Sequence, residues 1–246
     1  MEHLLEVCVD SLESALAAQA GGADRLELCG NLCIGGTSPS PALVRQVVQA
    51  VQIPVNVLLR PRFGDFCFTP SEREILLWEI GQCRALGASG VVIGALLPDG
   101  SLDRAFLARC LEAAGPLHRT LHRAFDVCRD PEAALEQAVA LGFDTILTSG
   151  QAATAEAGLP LLGRLVRRAA GRIAILAGSG VCPDNMKKLA DAGVRQFHFS
   201  AKKTVAGPMQ FRREGVPMGL PLCSEYDRSY ADEALVRQAK TLLTNL

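Results

Sequence analysis

Short apolar runs alternate with longer amphipathic segments along the whole chain of 246 residues. Runs of four to eight residues rich in Val, Ile and Leu predict strands, and longer segments with apolar residues three or four apart predict helices. The predicted strands cover residues 4–10, 24–29, 54–60, 90–95, 118–124, 144–149, 172–178 and 195–200. The predicted helices cover residues 11–20, 40–51, 70–86, 103–114, 130–141, 156–170, 183–192 and 232–244. Strict alternation indicates parallel strands joined by right-handed crossovers.

Eight strand–helix units predict an α/β fold, a single (β/α)8 TIM barrel that occupies residues 1–246. Gly22, Gly87, Gly142 and Gly193 support this repeat, since each stands between the end of a predicted helix and the next strand. Their spacing corresponds to about two strand–helix units. A doubly wound open sheet is the alternative, and eight alternations without an extra domain favour the barrel over it.

Composition restricts the class of protein. The chain is 49% hydrophobic and 21% charged, with a formal net charge of −1. This excludes a disordered chain and gives no support to nucleic-acid binding. No apolar run approaches the ~20 residues of a membrane span, and the first residues lack the pattern of a secretory signal. With nine cysteines and no Cys-x-x-Cys spacing, we expect reduced thiols, a cytoplasmic protein and no membrane partner.

Charged and polar side chains recur at every second position of several predicted strands. If the apolar faces contact the helices, the polar faces point into the barrel. The inward residues are then Glu6, Glu27, Arg60, His122 and His198, with Asp126 just beyond the fifth strand. Barrel interiors normally hold branched aliphatic residues, and unpaired buried charge is unfavourable. The charges therefore either form a salt-bridge network that holds the barrel closed or serve a ligand site at its mouth.

Small residues end the last three strands, where a barrel can hold a phosphate or carboxylate on backbone N–H groups. The candidate anion-binding residues are Ser149, Gly178, Ser179, Gly180 and Ser200. Packing alone is the alternative explanation for glycines at these positions.

Three irregular connections, residues 30–39, 61–69 and 201–231, follow predicted strands. Connections of this length are usually functional or form interfaces, and in a barrel these three lie on the face where active sites occur. The third connection contains two apolar pieces, Met209-Gln210-Phe211 and Val216-Pro217-Met218. They predict one of two roles for it: a surface for assembly in a non-catalytic subunit, or a cover over the barrel.

Several motifs, in order along residues 4 to about 230, resemble the copper homeostasis protein CutC family. They include Glu6-Val7-Cys8, the stretch from Gly22 to Cys29, Gly35-Gly36-Thr37-Ser38-Pro39-Ser40, Arg60-Pro61-Arg62 and His122-Arg123-Ala124-Phe125-Asp126. Phe63 departs from the family, which usually has a second glycine beside Gly64. The resemblance implies a (β/α)8 barrel, a cytoplasmic location, a homo-oligomer such as a dimer or tetramer, and a role in handling copper. The Cu(I) ligands that it implies fall on Cys8 and Cys29.

Two functions of different classes follow. Adjacent strands would bring the thiols of Cys8 and Cys29 together as soft donors for Cu(I), unless the two are merely core cysteines that face one another. Alternatively, the protein is an enzyme that acts on a small phosphorylated or carboxylated metabolite, with or without a metal. His122 or Glu27 would then be the general acid or base, and Arg60 would bind the anion. The candidate catalytic set is Glu6, Glu27, Arg60, His122, Asp126 and His198.

Overall fold

Eight parallel strands close into a barrel in which each strand pairs with the next in the chain and the last pairs with the first. The computed structural model describes residues 3–216 and 224–246. The barrel strands are β1 (Leu4–Val9), β2 (Arg25–Leu28), β3 (Val55–Leu58), β4 (Gly90–Ile93), β5 (His118–Leu121), β6 (Thr145–Thr148), β7 (Ala174–Ala177) and β8 (Gln196–Phe199). The predicted (β/α)8 barrel is therefore confirmed, and the open sheet is excluded.

Each barrel strand is followed by one of eight helices, with a hairpin inserted between β8 and the last helix. The helices are α1 (Leu12–Ala20), α2 (Pro41–Ala50), α3 (Pro70–Ala85), α4 (Arg104–Ala114), α5 (Pro131–Leu141), α6 (Leu159–Ala169), α7 (Pro183–Asp191) and α8 (Glu233–Thr244). Helix starts follow the local sequence, because the side chains of Ser11, Ser40 and Thr69 accept backbone N–H groups of the first turn. Across the described ranges, no helix combines the length and apolar composition needed to cross a bilayer.

Alternation along the strands separates two environments. The outward side chains of β1, Leu5, Val7 and Val9, belong to the main hydrophobic core, which lies between the sheet and the helices. The inward side chains are polar, and the strand register brings them together: Glu6 pairs with Arg25 of β2 and with His198 of β8. A one-residue shift in the register would turn these charges toward the helices, so burial of the apolar face fixes the polar interior.

The connection at 201–231 is not wholly irregular, which corrects the prediction. Strands β9 (Lys202–Ala206) and β10 (Asp227–Ala231) form an antiparallel two-stranded sheet. The side chains of β9 are exposed, so its sequence lacks the alternation that marks a half-buried strand. Of the apolar pieces predicted here, Met209, Phe211 and Val216 are exposed, whereas Pro217 and Met218 lie outside the described residues.

Two further short elements lie in the connections at the carboxyl ends of the strands. Single 3-10 turns occupy Leu32–Ile34 after β2 and Arg123–Val127 after β5. His122 caps the start of the second turn, because its Nδ1 accepts the N–H of Ala124 at 3.1 Å. The imidazole at the end of β5 is thereby fixed to the backbone that follows it.

Candidate functional site

A cavity of about 1090 Å³ opens at the carboxyl ends of the barrel strands. Its lining includes most of the residues predicted as a site: Cys8, Glu27, Cys29, Arg60, His122, Asp126, Ser179, Gly180, His198 and Ser200. The remaining three, Glu6, Ser149 and Gly178, are buried behind this lining. Lys202 and Tyr230 of the β9–β10 sheet also line the cavity, and sequence patterns did not indicate them.

Glu6 forms a buried charge network at the base of the cavity. Arg25 Nε donates to Glu6 Oε2 at 2.5 Å, and His198 Nδ1 lies 2.8 Å from Glu6 Oε1. Burial alone would raise the pKa of Glu6, but Arg25 and His198 outweigh it and lower the pKa to about 2. Of the two roles predicted for the inward charges, Glu6 therefore has the structural one, since it belongs to a buried salt-bridge network. Its carboxylate positions the His198 ring and does not line the cavity.

Cys8, Glu27 and His198 form a group of potential metal ligands. One ligand atom from each lies within 4.8 Å of the other two. His198 Nε2 is 3.6 Å from Glu27 Oε2, while Nδ1 of the same ring is held by Glu6. A ring nitrogen held by a carboxylate leaves the opposite nitrogen oriented for a metal, as in many metal sites. The trio thus offers one sulfur, one oxygen and one nitrogen ligand on the cavity wall.

The ionisation of this group reflects crowded, buried charges. Burial raises the pKa of Glu27, and the neighbouring Glu6 adds to the rise. Burial alone would lower the pKa of His198, but Cys8, Glu27 and Glu6 around the ring raise it well above its usual value. These neighbours therefore favour the protonated form of the His198 ring, which compensates the negative charge of Glu6.

Cys29 lies in the same region but is not part of the trio. Its Sγ is 3.5 Å from Glu27 Oε2, and it packs with Cys8, Leu58 and Val92 in a small cluster inside the barrel. Burial, and then Glu27 and Cys8, raises the pKa of the Cys29 thiol well above its usual value. The residue directly opposite Cys8 in the register is Glu27, and Cys29 lies two residues further along the chain. The pairing of the two thiols as Cu(I) ligands stays a prediction.

Arg60 follows β3 and is one of two arginines that are buried among the described residues. Its Nη1 donates to Gly36 O at 3.2 Å and its Nη2 to Gly64 O at 2.8 Å, and the Nε has no hydrogen-bond partner. The guanidinium lies 5.8 Å from the Phe63 ring and 5.0 Å from the Phe66 ring. Unlike Arg25, which contacts Glu6, it has no carboxylate within 4.0 Å in the described part of the chain.

His122 is neutral and held in place. Burial, followed by the charge of Arg60, lowers the pKa of His122 to about 3. Since Nδ1 accepts from Ala124, the proton of the neutral ring lies on Nε2, which is buried without a partner. A Cβ at Gly94, directly after the neighbouring strand β4, would lie 2.5 Å from both Cε1 and Nδ1 of this ring. Gly94 is therefore the residue that leaves room for the imidazole.

Asp126 lies at the cavity edge, but its carboxylate binds the loop after β6. It accepts the Thr148 hydroxyl at 2.5 Å, the Ser149 N–H and hydroxyl at 3.0 Å, and the Gln151 N–H at 3.2 Å. Arg123 Nε donates to the same carboxylate at 2.7 Å. Asp126 and Ser149 thus hold one another, and neither presents a free group to a ligand in this arrangement.

The glycine-rich end of β7 lies between the cavity and the core. Ser179 and Gly180 line the cavity with φ angles of 77° and 66°, but the Ser179 hydroxyl contacts Ala153 O at 2.9 Å. A Cβ at Gly178 would lie 2.6 Å from Leu147 Cδ1 and 3.5 Å from His198 Cδ2. Gly178 therefore provides space for Leu147, whereas His198 would be at ordinary contact distance. The use of Gly178 as an anion contact stays a prediction, like that of Ser179, Gly180 and Ser200.

Comparison with known proteins places this geometry in a family. Residues 3–203 match the model of the CutC family. The chain belongs to the CutC family. The human copper homeostasis protein cutC homolog is 44% identical over 99% of this chain and 90% of its own length. The family protein CutC of Parabacteroides distasonis is 45% identical over 96% of this chain and 99% of its own.

Solved structures agree with the CutC assignment. The crystal structure of the copper homeostasis protein CutC from Streptococcus agalactiae superposes with a TM-score of 0.78 at 31% identity, and covers 80% of this chain and 98% of its own. Thiamine phosphate pyrophosphorylase from Pyrococcus furiosus superposes with a TM-score of 0.61 at 15% identity, over 98% of this chain and 96% of its own. At that identity the second match supports the barrel fold alone.

Proposed function

We propose that this CutC family member binds Cu(I) in the barrel cavity, as part of copper homeostasis. The observation that carries the proposal is the convergence of Cys8, Glu27 and His198, whose ligand atoms lie within 4.8 Å of one another. The names of the relatives supply the identity of the metal, since they are called copper homeostasis proteins. Copper is here the cargo that the protein handles.

The donor set fits Cu(I) in part. Thiolate and imidazole are soft or borderline ligands that suit Cu(I), whereas a carboxylate suits harder ions. Cys8 Sγ and His198 Nε2 would therefore hold the ion, with the Cys29 sulfur beside Glu27 as a further soft donor. Zn²⁺ is the competing ion, because it accepts sulfur, nitrogen and oxygen ligands together.

A competition titration tests the copper site. Cu(I) is titrated anaerobically into the protein against a chromophoric Cu(I) chelator, with Cys8→Ser and His198→Gln as variants. We expect each variant to lower the affinity at least about tenfold, since each removes one of few ligands. Cys67→Ser is the matched control, because Cys67 is a free cysteine that does not line the cavity. Unchanged stoichiometric binding in Cys8→Ser would remove the proposal.

Cys29→Ser separates two versions of the site. If Cys8 and His198 are the main ligands, Cys29→Ser lowers the Cu(I) affinity less than Cys8→Ser does. If the two thiols are the ligands, as the family resemblance implies, the two variants lose affinity equally and His198→Gln does not. A parallel titration with Zn²⁺ shows whether Glu27 directs the site toward a harder ion, in which case Glu27→Gln weakens Zn²⁺ binding more than Cu(I) binding.

An enzyme that acts on a small metabolite is the second candidate. The supporting observation is the size of the cavity, since about 1090 Å³ is comparable with sites for organic ligands and far larger than one metal ion requires. Glu27 and His198, 3.6 Å apart on the wall, are placed for proton transfer to a bound molecule.

The cytoplasmic location and the homo-oligomeric state stay predictions from the family resemblance.

A further inference from the structure

Arg60 is buried in a setting that lacks its usual counter-charge. It is only 9% exposed, and the two hydrogen-bond acceptors of its side chain among the described residues are the carbonyl groups of Gly36 and Gly64. A guanidinium has five N–H donors, so several remain without an acceptor, including the buried Nε. Burying a charge without an opposite charge is unfavourable. The site is therefore short of one negative group.

The comparison with other arginines of the chain supports this interpretation. Arg25, which is equally buried, carries Glu6 on its guanidinium. Arg62, two residues from Arg60 and more exposed, contacts both Asp65 and Glu72. The carboxylates near Arg60 in the sequence thus pair with Arg62, although an ion pair would compensate a larger desolvation cost at the buried Arg60. The arrangement keeps the Arg60 side of the cavity positive.

A second hydrogen-bond donor without an acceptor lies close to Arg60. The His122 ring is 4% exposed in total and carries its proton on Nε2, which has no partner in the structure. Phe66 contacts both side chains: its ring centre lies 5.0 Å from Cζ of Arg60 and 5.0 Å from the centre of the imidazole. Both residues line the cavity. A charged donor and a neutral donor therefore share one wall, and each needs an acceptor.

We propose that this wall binds the anionic group of a small organic ligand, a carboxylate or a phosphate, through the guanidinium of Arg60 and with His122 as a second donor. The planar fork of arginine matches either oxyanion with two parallel hydrogen bonds. The rest of the ligand extends into the cavity toward Cys8, Glu27 and His198, which come from β1, β2 and β8 on another part of the wall. The anion site does not depend on copper. It rests on the second candidate function, an enzyme that acts on a small metabolite, and specifies that the metabolite is anionic.

Thermal unfolding with defined anions tests the site. Metal-free protein is heated with malonate, succinate, inorganic phosphate or glycerol 3-phosphate, each at the ionic strength of a sodium chloride control. A ligand that binds only the native state raises the Tm in a concentration-dependent way. We expect at least one probe to do so, and the carboxylate and phosphate arms identify which oxyanion is preferred. Failure of all four probes to raise the Tm of the wild type would overturn the proposal.

Variants assign the effect to Arg60. We expect Arg60→Gln to weaken the apparent affinity roughly tenfold to a hundredfold, because a charge-assisted hydrogen bond is lost. Arg129→Gln is the control, since Arg129 lies in an exposed ion pair with Asp99 and does not line the cavity. Equal stabilisation of Arg60→Gln and wild type by the probe overturns the proposal. If Arg60→Gln does not fold, Arg60→Lys decides, and an unchanged affinity there contradicts a site built on the planar fork.

The copper ligands provide an independent check. Cys8→Ser removes a proposed Cu(I) ligand but leaves Arg60, His122 and Phe66 intact. We expect this variant to keep the anion-dependent rise in Tm while it loses Cu(I) affinity. Loss of copper binding with retention of anion binding separates the two proposals, so that either can fail alone.

Discussion

Replacing Glu6 by glutamine tests whether the base of the cavity depends on a buried ion pair. Glu6 is 1% exposed and accepts from Arg25 at 2.5 Å, with His198 at 2.8 Å from its other oxygen. Glutamine keeps the shape of the side chain but removes its negative charge. Arg25 then stays buried without a carboxylate partner, and its other side-chain hydrogen bond is a long one, to Gln196 Oε1 at 3.5 Å. Removing one partner of a buried pair costs about 3–5 kcal/mol, because the other charge loses its compensation. For a chain of this length, that lowers the Tm by roughly 10 °C.

The assay is reversible unfolding in urea, supported by a thermal scan. The pair of Arg62 and the exposed Asp65 supplies the control, since Asp65→Asn should change the free energy of unfolding far less than Glu6→Gln does. The double variant Glu6→Leu with Arg25→Met should be more stable than Glu6→Gln, because it removes both charges together. A change below about 1 kcal/mol in Glu6→Gln, or a double variant less stable than the single one, refutes the reasoning.

Three further predictions concern the surroundings of His122, its protonation, and the loop after β6. Gly94→Ala should displace the His122 ring, which the new Cβ would approach to 2.5 Å, and cost about 1–3 kcal/mol, measured by urea unfolding. Because the pKa of His122 falls from 6.5 to about 3 on folding, the unfolded chain binds the extra proton between these values. Stability should therefore decline by up to roughly 5 kcal/mol as pH falls from 6.5 to 3, and the His122 ring should show no NMR protonation shift above about pH 4. Asp126→Asn should accelerate amide exchange of Ser149 and Gln151, whose N–H groups it accepts.

The fold was predictable because burial leaves a periodic trace in the sequence. All eight barrel strands and all eight helices lie where the apolar pattern indicates, with boundaries that differ by a few residues at the ends. The inward direction of Glu6, Glu27 and His198 followed from the same alternation. The β9–β10 sheet left no such trace, since the side chains of Lys202–Ala206 are exposed and neither face is constrained by a core.

The site was predictable in its members but not in its contacts. Alternation identifies which side chains face inward, whereas their pairing depends on the stagger between parallel strands. The stagger sets Cys8 opposite Glu27, and it sets Glu6 between Arg25 and His198. The sequence likewise gives no sign that Asp126 turns toward the β6 loop, because that contact depends on the 3-10 turn at Arg123–Val127.

Gly94 bears on whether His122 is structural or functional. An added Cβ at Gly94 would lie 2.5 Å from the His122 ring, so glycine leaves room for the imidazole. A glycine at the end of a barrel strand forgoes packing and adds backbone entropy to the unfolded chain, so it destabilises the barrel relative to alanine. A histidine that only filled the interior would be replaced at lower cost by an aliphatic side chain, as in most barrel interiors. Since the His122 imidazole occupies space that Gly94 leaves, and the ring lines the cavity, the arrangement favours a role of His122 in binding over a role in packing.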